Sequence, residues 1–228
     1  MKWGMVIDLD RCTACQACVA ACRIENNVPF QGEEQIKKKR GIFWMQVLSS
    51  IEAPGHYHHA RAKFLPRPCM HCENPPCVQV CPVEATYKNP EGGQVLQRYE
   101  RCIGCKYCMV ACPYGVRYFN FYRPAFIEPM NQYLNPDVPV RPIGVVEKCT
   151  FCIQRINKAI EKARLEGRAV KDGDAVTACM QTCTGGAIKF GDLDDHDSIV
   201  HKLANGRRSY RLLDDLGTHP QVYYLTEG

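Results

Sequence analysis

The chain has 228 residues, 46% of them hydrophobic, and a formal charge of +5. That length suits one domain or two small ones. No run of about 18 apolar residues occurs, which excludes a membrane-spanning helix.

In chain order, Met1-Lys2-Trp3-Gly4-Met5 runs straight into a strand pattern and is expected to be neither a signal peptide nor a twin-arginine leader. Val6-Ile7-Asp8-Leu9-Asp10-Arg11 reads as a short strand, then an acid, then a base. It leads into Cys12, Cys15, Cys18 and Cys22, spaced C-x2-C-x2-C-x3-C. An insertion follows at 31–62. Lys37-Lys38-Lys39-Arg40 makes a basic turn in it, read as a solvated loop, and 42–48 reads as a buried strand. His56, His58 and His59 are placed on a surface loop. Next come Cys69, Cys72, Cys77 and Cys81, spaced C-x2-C-x4-C-x3-C.

Residues 95–101 repeat the strand-acid-base lead, now into Cys102, Cys105, Cys108 and Cys112, and 115–119 reads as a return strand. Pro124, Pro129, Pro136, Pro139 and Pro142 make 123–144 an extended crossover. Val145-Val146-Glu147-Lys148 is the third lead, into Cys149 and Cys152. A helix is expected over 153–166, with Ile153, Ile156, Ile160 and Ala163 on one stripe. Cys179 and Cys183 follow, then a return strand at 187–190. The tail, 192–228, is expected to add helices near 196–204 and 207–215 and a strand at 222–225.

Sixteen cysteines thus fall into four groups of four, with none left over. A cubane [4Fe–4S] cluster needs one thiolate for each of its four irons. Three cysteines at x2 spacing on one loop reach three of them. The fourth, at x3, is carried away and ligates the other cluster of a pair, as in two-cluster ferredoxins. Pro82 and Pro113 complete the bacterial ferredoxin ending after Cys81 and Cys112. Arg23 and Thr184 stand there after Cys22 and Cys183.

Zinc is the weaker reading, because structural zinc takes two separated pairs and these runs over-supply it. Disulfides are weaker still, since cysteines two apart are poor bridge partners. Four clusters at roughly −2 each would bring the +5 chain to about −3. The basic residues therefore read as counter-charge and not as a nucleic-acid footprint.

The pattern gives an α+β fold of two interleaved bacterial-ferredoxin-like units with short strands and helices. One half would be 1–30 with 145–191, and the other 63–122. The insertion, the crossover and a C-terminal extension at 192–228 complete the chain.

The four groups, their interleaving, and the phrases Arg101-Cys-Ile-Gly-Cys-Lys-Tyr-Cys and Glu147-Lys-Cys-Thr-Phe-Cys resemble the four-cluster iron–sulfur subunit of the molybdopterin oxidoreductase superfamily. The resemblance covers about residues 1–195. The span from Cys152 to Cys179 and Asn135-Pro-Asp-Val are most similar to the alternative complex III and sulfur-metabolising branches.

This resemblance implies the ligand sets. Cluster one would take Cys12, Cys15, Cys18 and Cys183. Cluster two would take Cys22, Cys149, Cys152 and Cys179. Cluster three would take Cys81, Cys102, Cys105 and Cys108. Cluster four would take Cys69, Cys72, Cys77 and Cys112. No ligand is missing, so four [4Fe–4S] clusters are expected. The resemblance also implies that cluster one faces a large catalytic subunit and cluster four a quinone-binding membrane subunit.

The function expected is electron relay without substrate chemistry of its own. The partners expected are a molybdopterin-containing catalytic subunit and an integral membrane quinone-binding subunit, with no nucleic acid and no span by this chain. The complex would be peripheral to a membrane, either on the periplasmic face by co-export with a signal-bearing partner or on the cytoplasmic face. Lys106, Arg11, Arg101 and Lys148 are expected to offset cluster charge. The alternatives are an iron–sulfur subunit of a hydrogenase or formate dehydrogenase, and a free polyferredoxin. The insertion and tail argue against the last, because a simple carrier needs neither.

Overall fold

A computed structural model describes residues 1–52 and 61–227. His56, His58 and His59 lie outside the described residues. The fold is α+β, with short helices around four small sheets.

Strand β1 (Trp3–Asp8) is the centre of the largest sheet. Trp3, Met5, Val6 and Ile7 are all buried, so this strand is covered on both faces. It pairs antiparallel with β8 (Ile188–Asp192), the return strand after Cys183, and parallel with β10 (Val222–Leu225). β9 (Ser209–Tyr210) closes the order β8-β1-β10-β9. The two ends of the chain therefore build one sheet. Beyond that sheet, Tyr114 donates to Leu212 O at 3.2 Å, and the Gln221 amide donates to Met70 O at 2.9 Å. The tail thus stitches the sheet to the loop that carries Cys69 and Cys72.

The other sheets are two-stranded. β2 (Gln46–Glu52) pairs with β3 (Arg61–Arg67) as an antiparallel hairpin. The strand expected at 42–48 begins only at Gln46. Ile42, Trp44 and Met45 are buried as expected, but as an irregular segment packed into the core. β4 (Thr86–Lys88) pairs with β5 (Val95–Gln97), and β6 (Tyr118–Phe119) with β7 (Val146–Glu147). This last pair joins the return after Cys112 to the lead into Cys149, so it links the two interleaved segments.

Seven α-helices occur among the described residues. α1 (Ala17–Glu25), α3 (Pro76–Gln79), α4 (Tyr107–Val110) and α6 (Ala178–Gln181) carry ligand candidates. α2 (Glu33–Lys37) belongs to the insertion. Lys37 and Lys38 pair with Glu33 and Glu34 one turn earlier, which accounts for part of the basic turn. α5 (Ile153–Leu165) meets the expected helix, but Ala159 is buried where the stripe placed Ile160, which is 37% exposed. In the tail, α7 (Ile199–Ala204) starts at Ser198, whose hydroxyl caps His201 N. No second α-helix forms at 207–215. β9 and a short 3-10 turn at Asp214–Leu216 take its place, because Ser209 and Tyr210 are recruited to the open edge of β10.

A column of rings crosses the core. Trp3 stacks on Phe190 at 5.3 Å, Phe190 meets Phe151 edge-on at 5.2 Å, and Phe151 stacks on His71 at 3.7 Å. It runs from the large sheet to the loop of the second cysteine group.

A second anchor is buried and ionic. Arg141, at the end of the crossover, donates from Nε to Glu147 Oε2 at 3.0 Å, and Trp44 Nε1 donates to the same oxygen at 3.0 Å. The guanidinium also donates to Asn26 O at 2.6 Å and Asn27 O at 2.7 Å. Burial pushes the Glu147 carboxyl up, and Arg141 pulls against it. One arginine thus ties the crossover to the end of α1, to β7 and to the insertion. Removing it would leave Glu147 charged and uncompensated. Arg141→Met is expected to cost about 3–5 kcal/mol in anaerobic denaturant melts. Glu147→Gln, which retains an acceptor for Trp44, is expected to cost less. A loss under about 1 kcal/mol for Arg141→Met would contradict this.

Candidate iron–sulfur centre

The cysteine loops repeat at the level of the backbone. Ala14 and Gln16 have φ of 54° and 61°, and the matching Gly104 and Lys106 have 71° and 63°. Alternating left-handed residues curl a loop into a nest of inward N–H groups, which suits an anion. At Gly104 no side chain fits, since a Cβ there would meet Gly144 O at 2.3 Å.

Each of the four short helices carries one cysteine at its second position: Cys18 on α1, Cys77 on α3, Cys108 on α4 and Cys179 on α6. Four residues further on stands Cys22, Cys81, Cys112 or Cys183 respectively. The helices pack in two pairs, α1 with α6 and α3 with α4.

The thiols gather across these pairs. Burial, with the thiols of Cys12, Cys183 and Cys15, pushes Cys18 up to about 11. These four line one hollow, with Val47, Ala187 and Ile188. Burial pushes Cys22 well up, helped by Cys149, Cys152 and Cys179. Burial also raises Cys72 to about 12, with Cys69, Cys77 and Cys112 beside it. Those four line a second hollow with Met70, Val95, Val116 and Arg117. Burial raises Cys108, and the thiols of Cys102 and Cys81 add to it. Cys105 sits exposed on that same loop. The first cysteine of each helix thus faces its own loop, and the one four residues on faces the set of the paired helix.

Among the described residues, no three or more His, Cys, Asp or Glu side chains converge on a point that a single ion would fill. Two of the four sets instead surround a hollow lined mostly by apolar residues, and the donors are all soft thiols. That is the setting a cubane cluster requires, and in it the thiols would be held as thiolates by iron.

Several N–H groups already point at sulfur. Phe151 N lies 3.4 Å from Cys149 Sγ, Ala187 N 3.2 Å from Cys183 Sγ, and Thr86 N 3.4 Å from Cys81 Sγ. Asn26 Nδ2 reaches both Cys22 Sγ and Cys152 Sγ at 3.7 Å. Cys81 is held below the usual thiol range. Burial opposes this, but the amides of Thr86, Val83 and Ala85 outweigh it. A hydrogen bond with Thr184 likewise lowers Cys15.

Two families of sequences described as 4Fe-4S dicluster domains match the chain, at residues 60–125 and 11–85. The chain is 53% identical to the menaquinone reductase iron–sulfur cluster-binding subunit of Nitratidesulfovibrio vulgaris, over 99% of this chain and 89% of that one. It is 37% identical to an iron–sulfur subunit of the Hdr-like menaquinol oxidoreductase of Archaeoglobus fulgidus, over 100% and 84%. It is 32% identical to the iron–sulfur subunit of the arsenate respiratory reductase of a Shewanella species, over 99% and 96%. The chain belongs to the family of iron–sulfur subunits of the molybdopterin oxidoreductases. It binds [4Fe–4S] clusters and serves electron transfer.

The sets also stand in an order. Cys18 acts on Cys22 and Cys179, which joins the first set to the second. Cys69 acts on Cys149, which joins the second set to that of Cys69, Cys72, Cys77 and Cys112. Arg117 is shared by Cys77 and Cys108, which joins this set to that of Cys102. The cysteines exposed to solvent are Cys15 and Cys105, while Cys69, Cys72 and Cys77 are buried. This order bears on the expectation that cluster four faces the membrane subunit. Its ligand set lies inside the row, and the set on the Cys105 loop lies at the end.

The sequence reading missed Arg117, His71 and Asn26, all buried beside the thiols. His71 and Asn26 each lie within four residues of a ligand candidate, and Arg117 follows the turn after Cys112. Of the four cations singled out, Lys148 is buried and donates to the backbone oxygens of Val95 and Cys149. Lys106 lies over the rings of Phe119 and Phe121 at 4.1 and 4.6 Å. Arg11 and Arg101 are exposed.

The crossing gives a prediction. Cys81→Ser should alter the cluster signal that Cys102→Ser alters, and Cys112→Ser the signal that Cys69→Ser alters, each by a shifted potential or the loss of one iron. Anaerobic paramagnetic resonance of the four variants checks this. Pairing of Cys81 with Cys69 would contradict it.

Proposed function

We propose that the chain carries single electrons along four [4Fe–4S] clusters between a large catalytic subunit, expected to hold molybdopterin, and a membrane subunit that binds quinone. The observation that carries this reading is the unbroken row of four thiol sets with one exposed cysteine at each end. The ligands proposed are Cys12, Cys15, Cys18 and Cys183; Cys22, Cys149, Cys152 and Cys179; Cys69, Cys72, Cys77 and Cys112; and Cys81, Cys102, Cys105 and Cys108. When bound, such clusters supply one-electron carriers whose potentials follow burial, nearby charge and hydrogen bonds to sulfur.

The chain's own residues do the remainder. The core excludes water from the two inner sets. Backbone amides and Asn26 hold sulfur in place. The two interleaved halves proposed are 1–30 with 145–191, and 63–122; the pairing of β1 with β8 supports the first.

The two ends differ in chemistry. Around Cys105, Ile103 is 65% exposed, Tyr107 57% and Val110 82%. Around Cys15 stand Thr13, Gln16 and Thr184. An exposed apolar patch marks a binding face, so the Cys105 end is assigned to the membrane subunit and the polar Cys15 end to the catalytic subunit. No helix among the described residues is long and apolar enough to cross a membrane. Contact with the membrane would therefore be made through that partner.

The test is assembly. Val110→Asp with Ile103→Asp is expected to release the catalytic subunit and this chain together from the membrane fraction, with cluster signals intact. Loss of the catalytic subunit, with this chain still on the membrane, would reverse the assignment.

A further inference from the structure

Arg117 is 4% exposed, and no acidic side chain forms an ion pair with it among the described residues. Its Nη2 donates to Thr86 Oγ1 and Gln97 Oε1, both at 2.8 Å. Its Nε and Nη1 are buried and donate to no oxygen or nitrogen; the guanidinium lies instead against the Cys108 thiol. A buried arginine without a carboxylate is costly to the fold. The hollow it lines is the one enclosed by Cys69, Cys72, Cys77 and Cys112. On its other side lies Cys108, of the neighbouring set. Lys148, the other buried cation near these sets, has backbone oxygens as its partners. Among the described residues, Arg117 combines a permanent charge with two nitrogens unspent on oxygen or nitrogen at the thiols.

We propose that Arg117 is a positioning and tuning residue that raises the reduction potentials of the two clusters on either side of it, by setting one fixed positive charge and two unspent donors between them. The inference rests on the ligand sets proposed above. Reduction adds one negative charge to a site that is already negative. A fixed cation favours the reduced form more than the oxidised form, and donors to sulfur act in the same direction. The two clusters share the charge, so both should respond to its loss. The clusters of the other half should not, being on the far side of the Cys69 set.

The experiment is a redox titration of the whole complex, purified without oxygen and followed by paramagnetic resonance. Cys69→Ser and Cys102→Ser identify the two signals. Arg117→Gln keeps a polar group and removes the charge. Gln97→Glu keeps Arg117 and places a carboxylate against its Nη2. In Arg117→Gln, both midpoints are expected to fall by at least tenfold in the reduction equilibrium, ~59 mV each for one electron. In Gln97→Glu the same two should fall by less, and in both variants the other two midpoints should stay in place. If Arg117→Gln does not load iron, Gln97→Glu decides alone. Fully loaded variants with unmoved midpoints would overturn the inference, as would an equal shift at all four sites. A wild-type complex without these two signals would instead sink the ligand assignment itself.

Discussion

Burying negative sulfur is the constraint on which this structure depends. Each of the buried thiols of Cys22, Cys149 and Cys179 is pushed well above its ordinary range by desolvation. Bound iron would hold these groups as thiolates, and their charge would then lie inside a low-dielectric core. The fold answers with groups that favour an anion. Nests of amides curl under the loops, N–H groups point at sulfur, and Arg117, Lys148 and Arg23 stand beside the ligand sets. The ligand candidates are part of the core itself. Cys18, Cys22, Cys69, Cys72, Cys149 and Cys179 belong to the same packed cluster as Trp3, Phe151 and Tyr224.

The crossing of the short helices turns that packing into a row. α1 carries two cysteines four residues apart, and α6 carries one with the second just past its end; one faces its own set and the other the set of the paired helix. α3 and α4 repeat the device. Each helix pair therefore binds two sets into one rigid unit. The ring column ending at His71 and Phe151 then joins the units where Cys69 approaches Cys149. The geometry keeps neighbouring sets close without any element long enough to span the molecule.

Most of the chemistry was legible because cysteine spacing is a covalent ruler. The x3 interval alone pointed to Cys22, Cys81, Cys112 and Cys183 leaving their own loops, and each stands beside thiols of another loop. Order along the row was not legible. Spacing marks the cysteines that leave their loops, and the family resemblance implies which thiols share a set, but neither says which sets touch, and that depends on the Phe151–His71 stack and on where β7 pairs. The end of the chain was half legible. The strand at 222–225 was legible in the run Val222-Tyr223-Tyr224-Leu225, yet nothing local marked it as the parallel partner of β1. The helix expected at 207–215 yielded to the need of β10 for an edge partner. Arg117 escaped notice because an arginine two residues before Phe119 has no motif. Its meaning comes from its burial and from the absence of a carboxylate partner among the described residues.

The central claim is a linear row in which the Cys69 set lies between the Cys149 set and the Cys102 set. Iron-edge anomalous diffraction from crystals grown without oxygen tests it most directly. The account predicts four four-iron peaks in one row, with the peaks nearest Cys15 and Cys105 at its two ends. A peak beside Cys72 and Cys112 at an end of the row, or fewer than four peaks in fully loaded protein, would contradict it.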